Sequence, residues 1–198
     1  MLTVEFFDSI PLPEPAEPAL QPEWAEPRVT EMPASLGIDI TLAVSETATV
    51  YVSRPAAYTN GLTFELVTVQ RNTDPSDPQA VHRYGFFHGA PPRGPDLPPD
   101  LLRFGIELPG GVRLTNLGSS LPRHPDPDQP VAVLLPRGGG GNPGRYSQEW
   151  WLWPLPASGD VVLVCEWPAF DIPESRAKLS GDAIREAAAR AKTLWPTD

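Results

Sequence analysis

The chain has 198 residues, of which 40% are apolar and 20% charged, and its formal net charge at pH 7 is −10. This length is enough for one domain with a hydrophobic core of its own. The 27 prolines exclude a mainly helical fold, because proline removes an amide donor and clashes inside helices.

The acidic balance argues against two classes of binding protein. Nucleic-acid binding and attachment to an anionic membrane both require clustered lysine and arginine, so we expect neither partner. No stretch reaches the roughly 20 apolar residues of a membrane helix, and the first residues lack the pattern of a secretory signal. The one cysteine excludes an intrachain disulfide, and we therefore expect a cytoplasmic protein.

The N-terminal region differs in composition from the rest of the chain. Residues 2–7 alternate loosely and predict a strand, whereas residues 9–33 repeat proline and glutamate, which favours an extended polyproline II arm. We divide the chain into a strand and Pro/Glu-rich arm (residues 1–34) and a domain (residues 35–198). Trp24 is a candidate anchor of the arm, which either wraps its own domain or reaches another chain.

From Gly37 onward, apolar and polar residues alternate with the period of two that is typical of half-buried antiparallel strands. These runs predict strands at residues 38–45, 48–53, 62–66, 81–87, 102–108 and 174–179. A turn at residues 109–111 and a return at residues 112–117 predict a hairpin. Residues 131–135 form a short apolar strand, and the glycine-rich residues 137–144 are predicted to be a loop.

Residues 144–168 hold four of the six tryptophans and the only cysteine. They predict two apolar strands joined by a Pro/Gly loop as a hairpin, with Trp151, Trp153 and Glu149 on one face of the first strand. Both faces of this hairpin are apolar, so something must cover the second one. The C-terminal helix with Trp195, a second subunit and a bound ligand are the three possibilities.

One helix is predicted at about residues 182–194. Ser180 is its expected N-cap, because a serine hydroxyl can accept a hydrogen bond from a free amide of the first turn, and Pro196 ends it. About nine to eleven strands followed by one helix predict a mainly β fold. We expect an antiparallel β-sandwich, immunoglobulin-like or jelly-roll-like, with one C-terminal helix and a Pro-rich N-terminal arm.

No motif identifies a catalytic or metal site. Arg137 and Arg145 flank the glycine run and are candidates for holding an anion, but a flexible connection is the favoured interpretation because no helix follows. His82 and His88 share a face of a predicted strand without a third ligand nearby, so we expect no metal and no cofactor. Cys165 lies among apolar residues, as a structural cysteine does.

The C-terminal half carries a glycine run, a tryptophan-rich strand, and the motifs PLPASG, CEWP and IPE before a helix ending in LWP. In these features, residues 101–196 resemble a family of uncharacterised proteins from high-GC actinobacteria. The resemblance implies no activity, cofactor or site residue.

Three functional hypotheses remain at this point. The leading one is a non-enzymatic interaction or structural module that binds a protein partner or forms a homo-oligomer, because the chain has an arm and a doubly apolar tryptophan stretch but no catalytic signature. The second is a domain that binds a small molecule or carbohydrate through Trp151, Trp153 and Glu149. The third is a hydrolase whose site has no recognisable motif.

Overall fold

The structure is a computed structural model that describes residues 22–71, 101–117 and 132–195. The strands predicted at residues 2–7 and 81–87 lie outside these ranges, as do the three histidines. Within them the chain is mainly β, with twelve strands, one 3-10 turn and one α-helix. The elements are β1 (Glu31–Met32), β2 (Ala34–Ser35), β3 (Ile40–Val44), β4 (Ala48–Ala57), β5 (Leu62–Gln70), β6 (Arg103–Glu107), β7 (Arg113–Thr115), β8 (Val133–Asn142), β9 (Arg145–Trp153), β10 (Val161–Trp167), the 3-10 turn (Pro168–Phe170), β11 (Ile172–Leu179), α1 (Gly181–Ala188) and β12 (Lys192–Thr193).

Two antiparallel sheets form a sandwich. The large sheet has the order β2–β4–β5–β9–β8, with β3 also paired to β4, and the small sheet has the order β11–β10–β6–β7. A separate two-stranded ribbon joins β1 to β12. This arrangement confirms the prediction of a mainly β, antiparallel β-sandwich with a C-terminal helix, and the predicted hairpin is β6–β7.

The core lies between the two sheets and is filled by the inward-facing side chains of both. Phe104 of the small sheet contacts Phe64 and Trp150 of the large sheet, with ring centroids 6.0 and 5.7 Å apart. All three rings are buried. Each large apolar side chain buried in this way contributes about 1.5–3 kcal/mol to folding, so these aromatic contacts hold the two sheets together.

The hairpin predicted at residues 144–168 is wrong, because its two strands belong to different sheets. β9 pairs with β5 and β8 in the large sheet, whereas β10 pairs with β6 and β11 in the small one. Residues 154–160 therefore cross from one sheet to the other. This connection is longer than the loops of about two to five residues that usually join hairpins.

The loop predicted at residues 137–144 is also wrong, because β8 continues through the glycine run to Asn142. The glycines allow close approach to β9. A β-carbon on Gly139 would lie 2.8 Å from Oε1 of Gln148, and one on Gly141 would lie 2.2 Å from the carbonyl oxygen of Arg145. Glycine in a strand often marks such a close approach rather than a flexible loop.

The helix begins as predicted and ends early. The hydroxyl of Ser180 accepts a hydrogen bond from the amide of Ala183 at 3.3 Å, as an N-cap does. Helix α1 ends at Ala188, after which Lys192 and Thr193 pair with β1. Ile184 and Ala187 are buried where α1 packs against β4 and β2. No helix among the described residues is long and apolar enough to span a membrane.

Candidate functional site

Trp151 lies on the outer face of the large sheet and is nevertheless 0% exposed. Its indole Nε1 donates a hydrogen bond to the carbonyl oxygen of Trp24 at 2.9 Å, and the ring of Tyr58 meets it edge-on at a centroid distance of 5.9 Å. A β-carbon on Gly61 would lie 2.3 Å from Cη2 of Trp151, so glycine is required there. The tryptophan is thus covered by the chain's own residues and not by helix α1.

The N-terminal segment that supplies Trp24 is fastened by a polar cluster. The Glu31 side chain, 8% exposed, accepts hydrogen bonds from the amide and hydroxyl of Thr59 and from Arg28. The side-chain Nδ2 of Asn60 donates a hydrogen bond to the backbone carbonyl oxygen of Glu23 at 3.2 Å. Burial alone would raise the pKa of Glu31, but the hydrogen bonds from Thr59 and the contact with Arg28 outweigh it and lower the pKa below its usual value.

We expect Glu31→Gln to destabilise the protein at neutral pH and not in acid. The folded-state pKa of Glu31 lies below the unfolded one of about 4.3, so its carboxylate stabilises the fold above that pH, and this contribution is lost as pH falls through the folded pKa. Hydrogen bonds to a charged group contribute about 1.5–3 kcal/mol, so urea unfolding at pH 7 should show a loss of that order. A loss of equal size below the folded pKa of Glu31 would contradict this role. Glu23→Gln is the matched control, because the Glu23 side chain is exposed and the same substitution there should change the free energy of unfolding less.

The other residues predicted for this face have separate partners. Glu149 is partly buried and lies 3.7 Å from Nε of Arg137. Arg145 stands at the far end of β9, where its guanidinium is 3.5 Å from the hydroxyl of Tyr51. The structure therefore does not bring Arg137 and Arg145 together around a loop. Trp153 ends β9 and is partly exposed.

Among the described residues, neither a reactive cysteine nor a metal site is found. Cys165 is buried in the core, and burial raises the pKa of its thiol to about 11. Within the described ranges, no group of three or more His, Cys, Asp or Glu side chains is placed to hold a metal ion.

A group of exposed apolar side chains, not predicted from the sequence, lies where the two ends of the described chain meet. Strands β1 and β12 pair there, and the amide of Leu194 donates to the carbonyl oxygen of Thr30 at 2.8 Å. Trp195 is 64% exposed, whereas each of the other five tryptophans is buried or partly buried. We call the following exposed residues the ribbon surface: Val29, Met32, Leu194 and Trp195.

A groove of about 210 Å³ lies on the outer face of the small sheet. Its floor is a row across three neighbouring strands, in which Val164 pairs with Gly105 and Gly105 with Thr115. The absence of a side chain at Gly105 opens the groove. A β-carbon there would lie 3.0 Å from the carbonyl oxygen of Leu114.

Ion pairs form the walls of this groove. On one side of the floor, Nη1 of Arg103 lies 2.6 Å from Oε2 of Glu166. On the other side, Nε of Arg113 lies 3.3 Å from Oε2 of Glu107. Arg176 is paired with Val164 across the neighbouring strand. Its Nη1 lies 3.5 Å from Oε2 of Glu107, and its Nε lies 2.9 Å from Oε1 of Glu174. Three arginines thus balance three glutamates, although the whole chain carries a net charge of −10.

Sequence patterns contained part of the signal for the groove and none for the ribbon surface. Arg103 and Glu107 alternate with buried residues in β6, which predicts an outward face. The groove itself depends on which strands are neighbours, and this pairing joins residues far apart in the chain. The ribbon surface was missed because the helix was predicted to continue to about residue 194, with Trp195 covering the second face of the tryptophan-rich stretch, whereas α1 ends at Ala188.

No protein-family model, curated protein or solved structure matches this chain. The resemblance of the C-terminal half to an uncharacterised actinobacterial family stays a prediction.

Proposed function

We propose that the chain is a non-enzymatic protein-interaction module that self-associates through the ribbon surface. The observation that carries the proposal is the exposure of Trp195 and of three other apolar side chains that all belong to one short ribbon. Scattered exposed apolar residues are ordinary, but grouped ones typically mark interaction sites. Tryptophan is also among the residues that contribute most to binding energy at interfaces.

The backbone of the ribbon surface is already ordered in the single chain. Strand pairing between β1 and β12 fixes its backbone, and the polar cluster around Glu31 fastens β1 to the sandwich. A surface that is already ordered loses less conformational entropy on binding. The surface is small, which favours a transient association with a dissociation constant in the micromolar range over an obligate dimer.

Two further features bear on the proposal. The covered ring of Trp151 is not open for stacking with a sugar, which weakens the carbohydrate-binding hypothesis. The lone buried Cys165 supports a cytoplasmic location, which we include in the proposal.

We expect Trp195→Ala to weaken self-association about 30-fold, because truncation of a central interface tryptophan costs about 2 kcal/mol or more. Light scattering across micromolar concentrations should give a native mass above the 21.5 kDa monomer for the wild type and a mass close to it for the variant. Val44→Ser is the control, because Val44 is 67% exposed and lies away from the ribbon on β3.

Two results would contradict the proposal. One is a wild-type mass equal to that of the monomer at every concentration. The other is a Trp195→Ala variant that associates as strongly as the wild type.

A further inference from the structure

We propose that Trp195 of one copy docks in the small-sheet groove of a second copy. This inference rests on the proposed self-association and names the surface that receives the ribbon. The two surfaces are different parts of the molecule, since none of the four ribbon residues lines the groove. The contact is therefore head-to-tail.

The groove has the size and floor that an aromatic side chain needs. An engineered cavity of about 150 Å³ holds a benzene molecule, so 210 Å³ leaves room for a larger ring. It is smaller than the roughly 300–1,000 Å³ of sites that hold drug-sized ligands or cofactors. The floor offers the ring Val164 and the bare backbone of Gly105.

The walls offer partners for both the ring and its N–H group. Arg103, Arg113 and Arg176 line the groove, and a guanidinium over a tryptophan face attracts the ring electrostatically. The carboxylates of Glu107 and Glu166 are hydrogen-bond acceptors within the same walls, where the indole N–H can donate. A tryptophan side chain can use both kinds of partner.

Charge also favours this face as the receiving surface. Two copies that each carry a net charge of −10 repel one another. The groove walls balance three positive and three negative side chains, so a second copy meets no local excess of negative charge there. The two ribbon strands contain one lysine, Lys192, and one glutamate, Glu31, so the ribbon brings no net charge to this contact.

A head-to-tail contact has a testable consequence. An open assembly keeps one unused ribbon at one end and one unused groove at the other, so the contact repeats until it closes a ring or extends a filament. Two variants with complementary defects should then form a pair and stop.

The test blocks the groove with Val164→Tyr and compares it with Val162→Tyr. Val162 lies on the same face of β10, two residues away, and does not line the groove. We expect Val164→Tyr to weaken association about 30-fold, as Trp195→Ala does, and Val162→Tyr to leave it unchanged. Thr115→Tyr, at an exposed position, is a second way to fill the groove if Val164→Tyr folds poorly.

Mixing Trp195→Ala with Val164→Tyr should restore one contact. The first variant supplies an open groove and the second supplies Trp195, so light scattering should report pairs of twice the 21.5 kDa chain mass and nothing larger.

Each result separates the two proposals. If both groove-filling variants associate like the wild type while Trp195→Ala does not, the groove assignment is wrong and the ribbon proposal stands. A mixture that remains monomeric also overturns the head-to-tail contact. If Trp195→Ala itself associates like the wild type, the proposed function fails.

Discussion

Trp151→Ala should lower the free energy of unfolding by about 3–5 kcal/mol, the cost typical of removing a fully buried aromatic side chain. The ring fills the space left by the absent side chain of Gly61, and its N–H group satisfies the carbonyl oxygen of Trp24. The substitution leaves a cavity on the outer face of β9 and an unpaired carbonyl group. Urea unfolding followed by circular dichroism would measure the loss.

The same substitution should loosen the N-terminal segment. Trypsin should cleave after Arg28 faster in Trp151→Ala than in the wild type, because the segment loses its hydrogen bond to the large sheet. Trp195→Ala is the matched control, since the same change at a 64% exposed ring should alter stability by less than about 1 kcal/mol. An equal effect of the two substitutions on stability would show that Trp151 is not held as the structure describes.

The faces of the strands could be predicted from the sequence, whereas the partners of the strands could not. Alternation along β9 placed Gln148 and Trp150 on one face and Trp151 and Trp153 on the other. The structure has the first pair buried between the sheets and the second pair on the outer face. A period of two reports which side chains share a face, but it carries no information on which strand lies alongside. The strands on either side of residues 154–160 were therefore paired with each other and not with their distant partners.

The candidate site depends on such distant pairings. Arg103 meets Glu166 only because β6 pairs with β10, and the floor exists because the same register sets Val164 beside Gly105. The prediction that Trp24 anchors the arm named a residue that does contact the sheet. The contact uses its backbone carbonyl group, which any residue type could provide, so the identity of the side chain was not the signal.

Gly181→Ala should destabilise the protein by about 3 kcal/mol, the upper part of the range for overpacking. Alanine is ordinarily the better helix former, so propensity alone predicts the opposite sign. A β-carbon on Gly181 would lie 1.7 Å from the carbonyl oxygen of Gly159, which belongs to the connection between the two sheets. Because both groups are backbone, the first turn of α1 and this connection would have to move apart.

Gly138→Ala separates this steric effect from the general effect of replacing glycine. No atom lies within 4 Å of a β-carbon at Gly138, so the free energy of unfolding should stay the same or rise by up to about 1 kcal/mol. Urea midpoints of the two variants would provide the comparison. If Gly181→Ala matched Gly138→Ala, helix α1 would not rest on the connection at residues 154–160.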